Sequence, residues 1–162
     1  MALVGVIMGS DSDLPVMQEA VAQLKELGIS FEVKILSAHR SPGETIKYAR
    51  EARDKGLKVI IAGAGGAAHL AGVVASHTTL PVIGVPLEGS PLKGIDALCA
   101  TVQMPAGVPV ATMGIGKSGA KNAAILAGEI LAIKDKKIEG KLTHLKKDMA
   151  NKIIKKNKSL QI

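Results

Sequence analysis

Aromatic side chains are almost missing: the 162 residues include one Phe, one Tyr and no Trp. Core volume therefore has to come from Val, Ile, Leu, Ala and Met, which suits helices apposed closely on a parallel sheet. The same scarcity removes the stacking platform on which single-stranded nucleic acid is held. Cysteine is reduced to Cys99, which excludes an internal disulfide and fits a reducing compartment. There is no long uninterrupted apolar run. The weakly apolar stretch 59–76 is broken by Gly, Ala and His69, so no membrane span is expected. Residues 2–8 have no basic region before them, so no secretory leader is expected and a cytoplasmic location is.

Positive charge is abundant, but it is confined. Of the net charge of +7, residues 134–162 supply all, with ten Lys against three acids, while residues 1–133 balance 11 basic against 11 acidic side chains. A basic face on the body, of the kind that binds nucleic acid, is therefore not expected; solvated lysines on an outer helix account for the excess. The length fits one domain with a proper core. Residues 1–133 read as the body of that domain and residues 134–162 as its C-terminal helix and Lys-rich tail.

Apolar runs at 3–8, 31–36, 58–62, 81–85 and 108–113 read as strands. Helical periodicity separates them. The first helix carries Met17, Ala20, Val21, Leu24 and Leu27 on one face, with Ser12 or Asp13 as N-cap and Gly28 as stop. Ser41-Pro42-Gly43-Glu44 spells a capping box for a helix running to about Lys55. Further helices are expected from the glycine stretch to about Thr78, over 94–102 and over 118–133. The alternation predicts a three-layer αβα sandwich on a parallel five-stranded sheet, flavodoxin-like in class. An extra amphipathic helix over about 134–156 places Ile138, Leu142, Leu145, Met149 and Ile153 on one stripe, to cover either its own body or a neighbouring subunit.

Ligands of parallel sheets bind where the strand C-termini open, and three polar or glycine-rich turns converge there: 9–13, 37–40 and 63–69. In the first, Ser10 and Ser12 with helix-start N–H groups suit a phosphate, whereas Asp11 and Asp13 suit ribose hydroxyls; the alternative is that Ser12 and Asp13 serve only as caps. In the second, Arg40 offers a phosphate clamp and His39 a group that moves protons near neutrality. His69, His77 and His144 read as structural. The third turn, Gly63-Ala64-Gly65-Gly66-Ala67-Ala68-His69-Leu70-Ala71-Gly72, is expected to leave the strand at Ala62 and cradle a ligand on backbone. Gly63, Gly65 and Ala68 also fit G-x-G-x-x-A with Glu88 about 20 residues on, a dinucleotide fingerprint. Its position after the third strand and the absence of room for a second domain argue against that module. No Walker lysine, metal-ligand spacing or nucleophile elbow is present.

Met8-Gly9-Ser10-Asp11-Ser12-Asp13, Ser37-Ala38-His39-Arg40, the run Ala62 through Leu70, Gly84-Val85-Pro86 and Val102-Gln103-Met104-Pro105 together resemble the class I N5-carboxyaminoimidazole ribonucleotide mutases of purine biosynthesis. The likeness covers roughly residues 3–140. It implies transfer of a carboxylate from the exocyclic nitrogen to ring carbon 4 of an aminoimidazole ribonucleotide, with neither metal nor organic cofactor. The related class II enzymes carboxylate with free CO2; Arg40 and the third turn align this chain with class I. The resemblance assigns Ser10, Asp13 and Arg40 to the nucleotide, with Ser12 and Ser37 nearby, and His39 to proton transfer. It places Ala64 and Gly65 in a small-residue wall beside the imidazole. It also implies a homo-octamer with shared sites and a last helix that reaches a neighbour. Ala71 stands where the family usually has Pro and Ala97 where Ser is common, and the tail beyond about residue 140 diverges.

Overall fold

The computed structural model describes residues 1–160; Gln161 and Ile162, the end of the expected tail, lie outside the described residues. Five strands form one sheet, β1 (Val4–Met8), β2 (Phe31–Ile35), β3 (Val59–Gly65), β4 (Val82–Leu87) and β5 (Ala111–Thr112), in the order β2-β1-β3-β4-β5 and all parallel. This is the flavodoxin-like arrangement that the alternation predicts. The helices are α1 (Leu14–Leu27), α2 (Pro42–Glu51), α3 (Leu70–Ala75), α4 (Ile95–Val102), α5 (Lys117–Ala132) and α6 (Lys136–Lys158).

Strand alternation divides the core in two. Val4, Val6 and Met8 of β1, with Val59, Ile61, Ile83 and Val85, face Met17, Ala20 and Leu24 of α1 and the alanines 120, 123, 124 and 127 of α5. Ile7, Ile60, Ala62 and Val82 face Tyr48 and Ala49 of α2 and Leu70 and Val74 of α3. Alanine-rich α5 lies tightly in its layer, where a methyl at Gly128 would meet Leu27 and Ile29 at 3.1 and 3.3 Å. Close apposition replaces aromatic bulk.

α6 packs on α5 and α1 as a further helix outside the sandwich. Ile138 and Leu142 are buried there, while Met149, Ile153 and Ile154 stay exposed. The expected stripe is thus divided between an inner end on its own body and an outer end facing solvent.

Several details depart from expectation: α2 ends at Glu51 and α3 at Ala75, short of Lys55 and Thr78, and β4 runs on past Val85 to Leu87. β3 does not stop at Ala62: Gly63 is paired with Met8 and Val85, Ala64 with Pro86 and Gly65 with Leu87. β5 is two residues long where six were expected, because only Ala111 and Thr112 find ladder partners on β4. The capping box at Ser41 does not form. Ser41 makes no side-chain cap to α2, because its Oγ accepts from the Ser37 N–H at 3.1 Å instead.

Candidate active site

The order of the sheet brings the ends of β1, β2 and β3 side by side, since β1 lies between the other two. After β1, Ser10 caps a single 3-10 turn over Asp11–Asp13. The capping is reciprocal: Ser12 N–H donates to Ser10 Oγ at 3.4 Å and Ser10 N–H donates to Asp13 Oδ2 at 2.9 Å. Asp13 therefore stands at the N-cap position of α1 yet makes no cap bond to it; its carboxylate turns back toward Ser10. Burial pushes the Asp13 carboxyl above the ordinary value, against the pull of the Ser10 and Gly9 N–H groups and of Arg40. Asp11 goes the other way, held low chiefly by the Ser10 hydroxyl.

After β2, residues 37–40 form a turn clasped by its own side chains. Ser37 Oγ accepts from the Arg40 backbone N–H at 3.1 Å and from Arg40 Nε at 3.4 Å, and Arg40 Nη2 donates to Gly9 O at 2.7 Å. Arg40 so ties the second turn to the first, and Nη1 keeps no protein partner among the described residues. After β3, Gly66 adopts φ 59°, a left-handed angle open to glycine at little cost, and the chain turns into α3 through His69. His69 Nδ1 lies 2.8 Å from His39 Nε2, with the rings edge-on at 4.9 Å between centroids and 86° between planes. One ring must donate to the other, so their tautomers are coupled.

These turns enclose a cleft of about 350 Å³ lined by Gly9, Ser10, Ser12, Asp13, Ser37, Ala38, His39, Arg40, Ala64, Gly65, Ala67, Leu70 and Gly89. Ser10, Ser12, Asp13, Ser37, His39, Arg40, Ala64 and Gly65 all lie on it, whereas Asp11, also considered for the ribose, does not. Serine hydroxyls, Asp13 and Arg40 converge from β1 and β2, and the Gly and Ala wall comes from β3. Such a cleft suits a small polar anion joined to a flat apolar group. His69, read from the sequence as structural, stands behind the lining in contact with His39. Its apolar neighbours Ala68 and Leu70 concealed it, although its place at a strand-to-helix turn on the ligand edge was a usable signal. Gly89 had none, because only the fold brings the segment after β4 to within 3.6 Å of a methyl placed on Gly65.

The dinucleotide fingerprint finds no matching turn. Gly63 and Gly65 are strand residues, and a methyl on Gly63 would collide with Met17 in the core. His77 bonds Val73 O locally at 2.9 Å, and His144 is an exposed partner of Asp148 on α6, as their structural reading has it. Ala71 and Ala97 are buried away from the cleft lining.

A parallel β2-β1-β3-β4-β5 sheet with a polar cleft over the ends of β1, β2 and β3 defines a flavodoxin-like α/β protein built to hold a small ligand at its topological switch point. Within that class the chain belongs to the AIR carboxylase family, whose model matches residues 3–152. It is 55% identical over 159 residues to the N5-carboxyaminoimidazole ribonucleotide mutase of Pyrococcus horikoshii, covering 98% of this chain and 89% of that protein. It is 54% identical over 161 residues to the mutase of that name from Thermotoga maritima, covering 99% and 93%. The crystal structure of Treponema denticola PurE superposes with a TM-score of 0.89 at 28% identity, over the whole of both chains.

Proposed function

We propose that this cleft is the site at which the chain converts 5-carboxyamino-1-(5-phosphoribosyl)imidazole to 5-amino-1-(5-phosphoribosyl)imidazole-4-carboxylate, with His39 as the proton shuttle. The enzyme is an isomerase, an N5-carboxyaminoimidazole ribonucleotide mutase by activity, acting in purine biosynthesis on a small-molecule ribonucleotide. The observation that carries the reading is the placement of His39 on a cleft that it shares with serine hydroxyls, Asp13, Arg40, Leu70 and a Gly and Ala wall. Relatives of that name, 55 and 54% identical over the aligned residues, support it.

Ser10, Ser12, Ser37 and Arg40 hold the phosphate, and Asp13 accepts from the ribose. The imidazole lies along Ala64 and Gly65. The carbamate C–N bond breaks with its electron pair returning to the exocyclic nitrogen, which takes a proton from His39. The released CO2 stays in the cleft and is attacked by ring carbon 4. The new C–C bond leaves carbon 4 with an extra proton, which returns to His39, so protons balance over the cycle. The assembly is a homo-octamer in the cytoplasm, residues 1–133 forming the nucleotide-binding body and the α6 tail the contact to a neighbour.

Purified protein should interconvert the two carboxylated ribonucleotides; failure to do so rejects the reading. His39→Asn should abolish turnover and spare nucleotide binding. Labelled CO2 from solution should stay out of product in a single turnover, whereas its incorporation would mark direct carboxylation.

A further inference from the structure

The turn that carries both His39 and Arg40 follows the edge strand β2, which has a ladder partner on one side only and whose Ile35 is 55% exposed. The sheet holds the turn from the β1 side alone, the last bond before it being Leu36 N–H to Met8 O at 2.8 Å. Beneath it, wholly buried, lies Thr45 of α2, a residue outside the cleft lining. Its Oγ1 is 3.0 Å from Ser41 O and 3.1 Å from Ser37 O. A helical threonine bonding the carbonyl four residues back is common and carries no special meaning. The second acceptor, eight residues back and at the start of the turn, is not explained by helix geometry. Removed from water, the hydroxyl shares its one proton between these two carbonyls and so ties the start of the turn to the first turn of α2.

Ser37 is the junction of the cluster. Its N–H is taken by Ser41 Oγ, its carbonyl by the Ser41 N–H, the Ser41 hydroxyl and Thr45, and its Oγ by Arg40, which continues to Gly9. We infer that Thr45 is a positioning residue for the reaction, setting the place of His39 and Arg40 in the cleft through Ser37. This rests on the proposed function for its kinetic consequence but not for its structural one.

The test is Thr45→Val, which keeps the shape and removes the donor, with Thr45→Ser as the conservative partner and Thr143→Val as control. Thr143 makes an ordinary bond to Glu139 O at 3.0 Å on exposed α6. The expected result is a fall in kcat of about fivefold or more and a shifted titration of the His39 ring in NMR. The serine variant should return both to within about twofold, and the control should change neither. Thr45→Cys, a weaker donor of similar volume, replaces the valine variant if that does not fold. A valine variant with wild-type kcat and an unmoved His39 titration, whatever its melting temperature, overturns the inference. If the wild-type protein lacks mutase activity, the proposed function fails, and the NMR comparison alone still decides whether Thr45 positions the turn.

Discussion

His39 and His69 come from loops after different strands, yet a single 2.8 Å contact couples which ring nitrogen carries a proton. A shuttle that gives a proton and takes one back needs a fixed tautomer and a fixed ring plane. His69→Leu removes the partner and should lower kcat by about 10 to 100-fold with a smaller change in nucleotide affinity, measured by steady-state kinetics beside calorimetry. Unaltered kcat would show that the contact is incidental. Asp13 raises a different question, because burial lifts its carboxyl above the ordinary value of 3.8. The folded protein then holds that proton more tightly than the unfolded chain does. Stability from this group is fully present below 3.8 and is lost as pH rises through the elevated folded value, so at neutrality the ionised carboxylate opposes folding. Asp13→Asn keeps an oxygen for the Ser10 N–H and removes the charge. Its melting temperature at pH 7 should equal or exceed that of the wild type, the difference closing in acid. Its nucleotide affinity should fall about tenfold or more. The two readings move in opposite directions, as expected where a residue is kept for function.

At the scale of elements, glycine and alanine decide how closely the layers approach, and two substitutions separate fold from site. A methyl on Gly119, in the first turns of α5, would coincide with the carbonyl of Gly114. Backbone cannot yield there as a side chain does, so Gly119→Ala should destabilise by about 3 kcal/mol or more, read as a lower denaturation midpoint in urea. Ala64→Leu instead fills the cleft wall from the end of β3 and should depress turnover far more than stability; a variant with normal rate would remove the wall from the imidazole. Much of this architecture was legible. Gly28 was readable as the stop of α1 and adopts φ 65°, and the apolar periods gave five strands with helices between them. What was not legible depended on partners distant in sequence. Glycines 63 and 65 extend β3 because Gly63 pairs with β1 and β4 and Gly65 with β4, against glycine's low strand preference. The run 108–113 shrinks to two strand residues because few of its groups meet β4. Ser41 spells a capping box but serves Ser37, and His69 looked structural because nothing local shows that β2 and β3 flank the same strand.

For the molecule as a whole, α6 decides whether the chain is self-sufficient. Its 23 residues span about 34 Å, and its apolar stripe outlasts the body it packs on. Ile138 and Leu142 are 6% exposed against α5 and α1, whereas Met149, Ile153 and Ile154 are 47, 65 and 52% exposed. The lysines flanking the outer stripe are themselves exposed and do not cover it, and no helix among the described residues is long and apolar enough to cross a membrane. In the proposed octamer another copy covers this end. The two ends of one stripe should then fail differently. Ile138→Ala removes core contacts within the chain and should cost about 2 to 5 kcal/mol of stability, seen by thermal melting. Ile153→Glu loses nothing from the monomer's own core, so it should leave secondary structure intact while sedimentation shows smaller species, and turnover should fall with the assembly if neighbouring copies complete the cleft. An Ile153→Glu protein that sediments as the wild type does would mean that the outer stripe is free, and that any oligomer is built through another face.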